Sequence, residues 1–185
     1  MYCYEKGDHM FNEWANHSME SKGRKNLDES DKIWEQVYNE QKSLRLPEGE
    51  LLYRVHTGGD SRPEINDYED MGDSKQIIFN DDFQFWLDCQ DIKCIKFDNH
   101  WVSFTKEIDV IGSHYFSGKG LRGFVIVIRP TRCVDISSFI EKAIDEHEVV
   151  APMDRNSLVE ILPFEQFIYK YGKGTSDYEK MKLTE

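Results

Sequence analysis

Long apolar runs are missing from this chain of 185 residues. No stretch approaches the ~20 consecutive apolar residues that a helix needs to cross a bilayer. The amino-terminal MYCYEKGDHMFNEW also lacks the basic-then-apolar pattern of a secretory signal. These two absences predict a protein without a membrane partner. We expect it to be cytoplasmic, acting in the cell that makes it or in a host cell into which a dedicated machine injects it.

Positive charge is scarce as well, because 23 Lys and Arg residues stand against 35 Asp and Glu residues, for a formal net charge of −12. An acidic field repels polyanions, so broad charge-driven binding to nucleic acid or to an anionic membrane is excluded. A local basic patch is still compatible with this charge. Four basic residues gather around one predicted strand: Lys119, Arg122, Arg129 and Arg132. Solubilising charges at strand ends would give the same pattern.

Cysteine and histidine are few, and their spacing does not suit a metal. Of four cysteines, Cys89 and Cys94 lie five apart, which fits no common zinc site. The six histidines show no HExxH or other paired spacing. A disulfide framework is not expected in a reducing compartment. The sequence therefore predicts no metal site and plain thiols that are mostly buried.

Apolar residues are nevertheless sufficient for a folded domain, at 39% of the chain with 13% aromatic residues. The periodicity predicts a helix that begins at Asn26 and is ended by Pro47, with Ile33 and Trp34 on its buried face. A strand over 50–57 follows, and then a long exposed loop over 59–75 that is rich in Gly, Asp and Ser.

The second half of the chain is predicted to contain helices over 80–90 and 106–116 and a strand at WVSFT, 101–105. Four more apolar or β-branched segments follow: FVIVIRP, CVDISSF, HEVVAP and LVEILP. Because strands succeed one another after helices, we predict an α+β domain with a mixed, mostly antiparallel sheet. The predicted organisation is a helical segment 1–47 packed on a core at 48–170, with a flexible tail at 171–185.

Polar residues interrupt several of these apolar strands. Arg54 lies in LLYRVHTG, where a charge costs several kcal/mol unless it is paired or used. Ser103 and Thr105 alternate in WVSFT, and Glu146 and Glu148 alternate in DEHEVVAP, so each pair would share one strand face. Any one of these motifs also fits a strand face that is open to solvent.

In their order and spacing, LYRVHTGG at 52–59, WVSFT at 101–105 and EHEVVAP at 146–152 resemble the arginine–serine–glutamate class of mono-ADP-ribosyltransferases. FVIVIRPTRCVDISSF also resembles the central strand of that family. The resemblance implies a two-sheet ADP-ribosyltransferase-like core with N-terminal helices, NAD as substrate and no metal. It also implies an intracellular toxin or defence effector, with an antitoxin or inhibitor protein as a partner.

The resemblance further assigns roles to single residues. Glu148 would be the catalytic glutamate, Glu146 would select and activate the acceptor, and Ser103 would support the nicotinamide pocket and the glutamate. Arg54 would hold the NAD phosphates or ribose. The residues placed around NAD are Arg54, Val55, His56, Thr57, Gly58, Ser103, Thr105 and Phe116. Phe104 departs from the family's middle threonine, and His147 is left out of the chemistry because it would point to the opposite strand face.

The chemistry fits these residue types. Cleaving the nicotinamide–ribose bond develops an oxocarbenium-like cation, which a fixed carboxylate beside the ribose stabilises. In this family the Glu-x-Glu form goes with a protein arginine as acceptor, whereas a nucleic-acid base, RNA or DNA, remains an alternative. Two further hypotheses stay open: an NAD glycohydrolase that transfers ADP-ribose to water, and a non-catalytic NAD-binding or interaction domain.

Overall fold

The computed structural model describes residues 27–56, 72–74, 76–77, 80–81, 92, 95–111, 124–139 and 147–175. Its helices are α1 (Leu27–Glu40), α2 (Ile108–Ile111) and α3 (Phe164–Tyr171), and its strands are β1 (Leu52–His56), β2 (Trp101–Thr105), β3 (Phe124–Ile128), β4 (Val134–Asp135), β5 (Glu148–Pro152) and β6 (Leu158–Pro163). Short 3-10 turns cover Lys42–Leu44 and Arg155–Ser157. The predicted α+β class is confirmed.

The described strands form one six-stranded sheet in the order β4-β5-β2-β1-β3-β6. Neighbours pair antiparallel in β4–β5, β5–β2 and β2–β1. The β2–β5 register is continuous from Trp101 opposite Pro152 to Thr105 opposite Glu148. Strands that lie far apart in the sequence, β2 and β5, are therefore neighbours at the centre of this half of the sheet.

Burial explains the sequence pattern of the central strands. β5 is buried at every position, and β3 is buried at Val125–Ile128, which matches their continuous apolar, β-branched sequences. β6 mixes exposed and half-buried positions, as its alternating LVEILP sequence indicates.

Helix α1 packs its buried side chains, Trp34 and Val37, onto the sheet. They join Trp101, Val134 and Val150 in one core cluster, in which the Trp34 and Trp101 rings stack with centroids 6.5 Å apart. Burying two indoles and several β-branched residues contributes on the order of 10 kcal/mol before entropy is counted.

The predicted boundary and buried face of α1 are partly wrong. The helix ends at Glu40, well before Pro47, because the Arg45 guanidinium donates to the Tyr38 carbonyl at 2.6 and 2.9 Å and satisfies a carbonyl of the last turn. Ile33, predicted to be buried, is 45% exposed. Of the two neighbouring residues Ile33 and Trp34, only Trp34 packs into the core cluster.

Contacts divide the chain into two compact units. The first comprises Met1–Arg54, Phe97–Ile111 and Ile126–Glu160, and the second comprises Val55–Lys96, Gly112–Val125 and Ile161–Glu185. In the second unit α3 buries Phe164, Phe167 and Ile168. The domain boundaries at 48 and 170 stay a prediction. Within the part of the chain that the structure describes, no helix is long and apolar enough to cross a membrane.

Candidate functional site

Arg54 lies in β1 and is half-buried, as the apolar context of LLYRVHTG predicts. One of its terminal nitrogens donates to the backbone carbonyl of Ser103 in β2 at 2.7 Å. Burial lowers the pKa of Arg54 below its ordinary value, while the negative charge of Glu148 acts in the opposite direction. The guanidinium is thus fixed to β2 and lies within the electrostatic reach of the candidate catalytic carboxylate.

Glu148 is the first residue of β5 and is only 3% exposed. It lies directly opposite Thr105, and Thr105 in turn lies opposite Tyr53 of β1. Directly opposed residues point to the same face of a sheet. Tyr53, Thr105 and Glu148 therefore form one row across three adjacent strands, and a solvated strand face no longer explains the carboxylate.

Arg54 does not share that face. Side chains alternate along a strand, so Arg54 lies on the face opposite Tyr53, whereas Ser103 lies on the face of Thr105. The contact between Arg54 and Ser103 is with the main chain of Ser103, not with its hydroxyl. The structure brings the arginine, serine and glutamate onto adjacent strands, but it does not line up all three side chains on one face.

Tyr53 is a candidate residue that the sequence-based prediction missed. Its side chain is 6% exposed, and its pKa is raised by burial first and then by the charges of Glu50 and Glu107. The sequence LLYRVH could have indicated this role, because alternation along a strand places Tyr53 on the face opposite that of Arg54. The phenol extends the polar row from Glu148 and Thr105 into β1.

Thr105 ends β2 and is buried at 5% exposure. Its hydroxyl oxygen accepts the backbone N–H of Glu107 at 3.1 Å. This local hydrogen bond turns the chain from β2 towards α2. Thr105 thus fixes the end of the strand beside Glu148, and Ser103 is half-buried two residues earlier on the same face.

Glu146 lies outside the described residues, and strand β5 does not include the residue before Glu148. His147 has φ of +46° and does not belong to β5. The rule that residues two apart share a face holds only for extended backbone. The prediction that His147 belongs to the strand is therefore wrong, and the placement of Glu146 relative to Glu148 stays a prediction.

Some of the remaining predicted site residues are described by the structure and others are not. Val55 and His56 complete β1 and are half-buried. Thr57, Gly58 and Phe116 lie outside the described residues. Of the residues the structure describes, no group of three or more His, Cys, Asp or Glu is arranged to hold a metal ion.

Two of the four basic residues that gather around β3 make local contacts. Arg129 donates to the carbonyl of Gly49 at 3.3 Å, and Arg132 pairs with Glu35 of α1 while lying over the Trp101 ring. These contacts favour the interpretation of this group as structural charge. Lys119 and Arg122 lie outside the described residues.

A scan of protein-family models gave no match to this chain, and searches of the curated proteins and of the solved structures gave none either.

Proposed function

We propose that this protein is an NAD-dependent mono-ADP-ribosyltransferase whose site is built on Arg54, Ser103 and Glu148. The observation that carries the proposal is the burial of Glu148 at the start of β5, within electrostatic reach of Arg54. Taking two opposite charges out of water costs several kcal/mol per ion, and a hydrophobic pair would often be as stable. Charged groups held in this way are candidates for a functional role.

The roles follow from the chemistry of NAD. The bond between C1′ of the ribose and the nicotinamide nitrogen breaks, and its electron pair leaves with neutral nicotinamide. The acceptor's lone pair forms the new bond to C1′, and the acceptor's proton passes to a base. Glu148 supplies the fixed negative charge that stabilises the cationic ribose. Arg54 binds the phosphates, because the planar, forked donors of a guanidinium match phosphate oxygens better than an ammonium group does.

A two-sheet, ADP-ribosyltransferase-like core is part of the same proposal. Strands β4, β5 and β2 are joined by a continuous register, whereas the described register between β2 and β1 is the pair Tyr53 and Thr105. A division of the sheet between β2 and β1 is compatible with this register.

The proposed acceptor is an arginine side chain of a protein, which follows from the Glu-x-Glu form of the motif and makes Glu146 the residue that handles the acceptor. A nucleic-acid base or water would use the same nicotinamide-cleaving centre. We further propose a cytoplasmic toxin or defence effector that is held inactive by an antitoxin or inhibitor protein.

Incubation of the protein with NAD labelled on its adenylate phosphate, in a cell lysate, tests the proposal. We expect release of nicotinamide and labelling of macromolecules in the lysate. Protease should remove this label, and nuclease should leave it in place. Glu148→Gln should lower both by on the order of a hundredfold or more. Glu48→Gln, which alters an exposed glutamate at the turn before β1, is the matched control.

The outcomes separate the alternatives. Label removed by nuclease assigns a nucleic-acid acceptor, and nicotinamide release with no labelled macromolecule assigns a glycohydrolase. A wild-type protein that neither binds NAD nor releases nicotinamide refutes the enzymatic function.

A further inference from the structure

A cluster of polar side chains, Lys106, Asp135 and Ser137, lies next to the candidate site. The Lys106 ammonium donates to Asp135 Oδ2 at 2.6 Å and approaches the Ser137 hydroxyl at 3.4 Å. The other oxygen of Asp135 accepts the Ser137 hydroxyl at 2.6 Å and the Ser137 N–H at 3.0 Å. Both carboxylate oxygens are therefore used.

The cluster is partly removed from water. The side chains of Lys106 and Asp135 are 27% and 19% exposed. Burial alone would raise the pKa of Asp135, but the hydrogen bonds from Lys106 and Ser137 and the Lys106 charge outweigh it and hold the pKa below its ordinary value. The ion pair is thus less open to water than the exposed pairs that contribute about 0–1 kcal/mol.

The position of the cluster connects it to Glu148. Lys106 directly follows β2 and Asp135 ends β4, while β5 lies between these two strands in the sheet. Asp135 is opposite Val149, and the N–H of Ile136 donates to the carbonyl of Glu148 at 3.1 Å. The ion pair therefore links the strands on either side of β5 at the level of its first residues.

The start of β5 needs such a link. The chain enters the strand through His147, whose backbone is left-handed and not extended, so the described strand begins at Glu148 itself. Strand ends fray unless they are tied down. A carboxylate that stabilises a transition state must stay within a fraction of an ångström of its productive position.

We infer that Lys106, Asp135 and Ser137 are positioning residues that fix the start of β5 and, through it, the carboxylate of Glu148. The inference rests on the proposed function in one respect only, namely that Glu148 is the group that needs positioning. None of the three has to contact NAD.

The kinetic test compares the purified wild-type protein with Lys106→Met, Asp135→Asn and Lys106→Arg in nicotinamide release from NAD. We expect kcat to fall about ten- to hundredfold in the first two variants, while KM changes less than about twofold. Lys106→Arg keeps the charge and should restore most of the rate. The control Arg132→Met breaks the ion pair with Glu35, whose side chains are 39% and 41% exposed, and should leave kcat unchanged.

Amide hydrogen exchange gives a second readout that does not depend on activity. Exchange at Ile136, which reports on its bond to the Glu148 carbonyl, should accelerate at least about tenfold in Lys106→Met. The Arg129 amide, which donates to the Ser157 carbonyl at 2.7 Å, should be unaffected.

The two readouts separate the inference from the proposed function. If the wild type releases nicotinamide and kcat is unchanged in Lys106→Met and Asp135→Asn, or falls equally in Arg132→Met, the inference is overturned and the proposed function stands. If the wild type is inactive, the proposed function fails, and the exchange at Ile136 alone decides the positioning role. Unchanged exchange then overturns it.

Discussion

At the scale of single residues, the burial of Glu148 close to Arg54 is the feature that most constrains function. The carboxylate is 3% exposed and the arginine is half-buried, so neither group is fully hydrated. The Glu148 charge raises the pKa of Arg54 against the larger effect of burial, so the carboxylate favours the charged form of the arginine. Removing only one of them takes an opposite charge away from a group that is wholly or partly buried.

This coupling predicts how the free energy of unfolding changes in a double-mutant cycle of Arg54 and Glu148. Arg54→Met should lower the free energy of unfolding by about 2 kcal/mol or more, because a buried carboxylate is left behind. Adding Glu148→Gln to Arg54→Met should recover part of the loss. Urea unfolding of the wild type, both single variants and the double variant measures the cycle. Strictly additive losses would show that the two charges are not coupled.

A second residue-scale prediction concerns pH. The pKa of Asp135 in the folded protein lies below its ordinary value of 3.8, so the unfolded chain takes up the proton first as the solution is acidified. The stabilisation from Asp135 is therefore complete above about pH 5 and is lost as pH falls through the folded pKa.

The measurement compares thermal unfolding of the wild type and Asp135→Asn across this range. The gap in Tm should be largest near neutral pH and should shrink below about pH 4. A gap that grows on acidification would contradict the lowered pKa. Arg132→Met, which disrupts a different ion pair, corrects for the general effect of acid on the fold.

At the scale of elements, the sequence predicts strands better than their ends. The strands at 52–56, 101–105 and 158–163 lie where the apolar and β-branched runs indicate. The end of α1 and the start of β5 were predicted wrongly, because the side chain of Arg45, just beyond the helix, caps the first and a left-handed residue precedes the second. Arg45 replaces the expected proline stop, and no pattern marks His147 as left-handed.

The entry into β5 carries an element-scale prediction. Left-handed backbone costs a residue with a side chain roughly 1–2 kcal/mol, and a β-branched residue more than most. His147→Gly should therefore leave stability unchanged or raise it by up to about 1 kcal/mol, whereas His147→Val should lower it by about 1–2 kcal/mol. Urea unfolding of both variants is the measurement, and the opposite ranking would contradict the backbone assignment at this residue.

At the scale of the whole molecule, segments separated by tens of residues converge because β5 inserts between β4 and β2. The sequence resemblance proposed Arg54, Ser103 and Glu148 as site residues, and the structure places them on the adjacent strands β1, β2 and β5. The sequence did not predict that Tyr53 lies in the row of Glu148 while Arg54 lies on the other face, because strand register is set by tertiary pairing and not by local pattern.

The net charge of −12 gives a whole-molecule prediction for the proposed transfer reaction. A cationic arginine-bearing acceptor is attracted by this field, so the rate of protein labelling should fall several-fold between low salt and about 0.5 M salt. Nicotinamide release without an acceptor should change little, which provides the control. A labelling rate that rises with salt would indicate an anionic acceptor instead.

The hydrogen bond from Arg54 to the main-chain carbonyl of Ser103 does not involve the side chain at position 103. Every residue type has that carbonyl, so the anchor for the guanidinium persists whatever side chain stands at position 103. Ser103 can therefore be replaced without releasing the arginine from β2. Position 103 is, by this reasoning, a place where the side chain can change while the contact that Arg54 makes between β1 and β2 is kept.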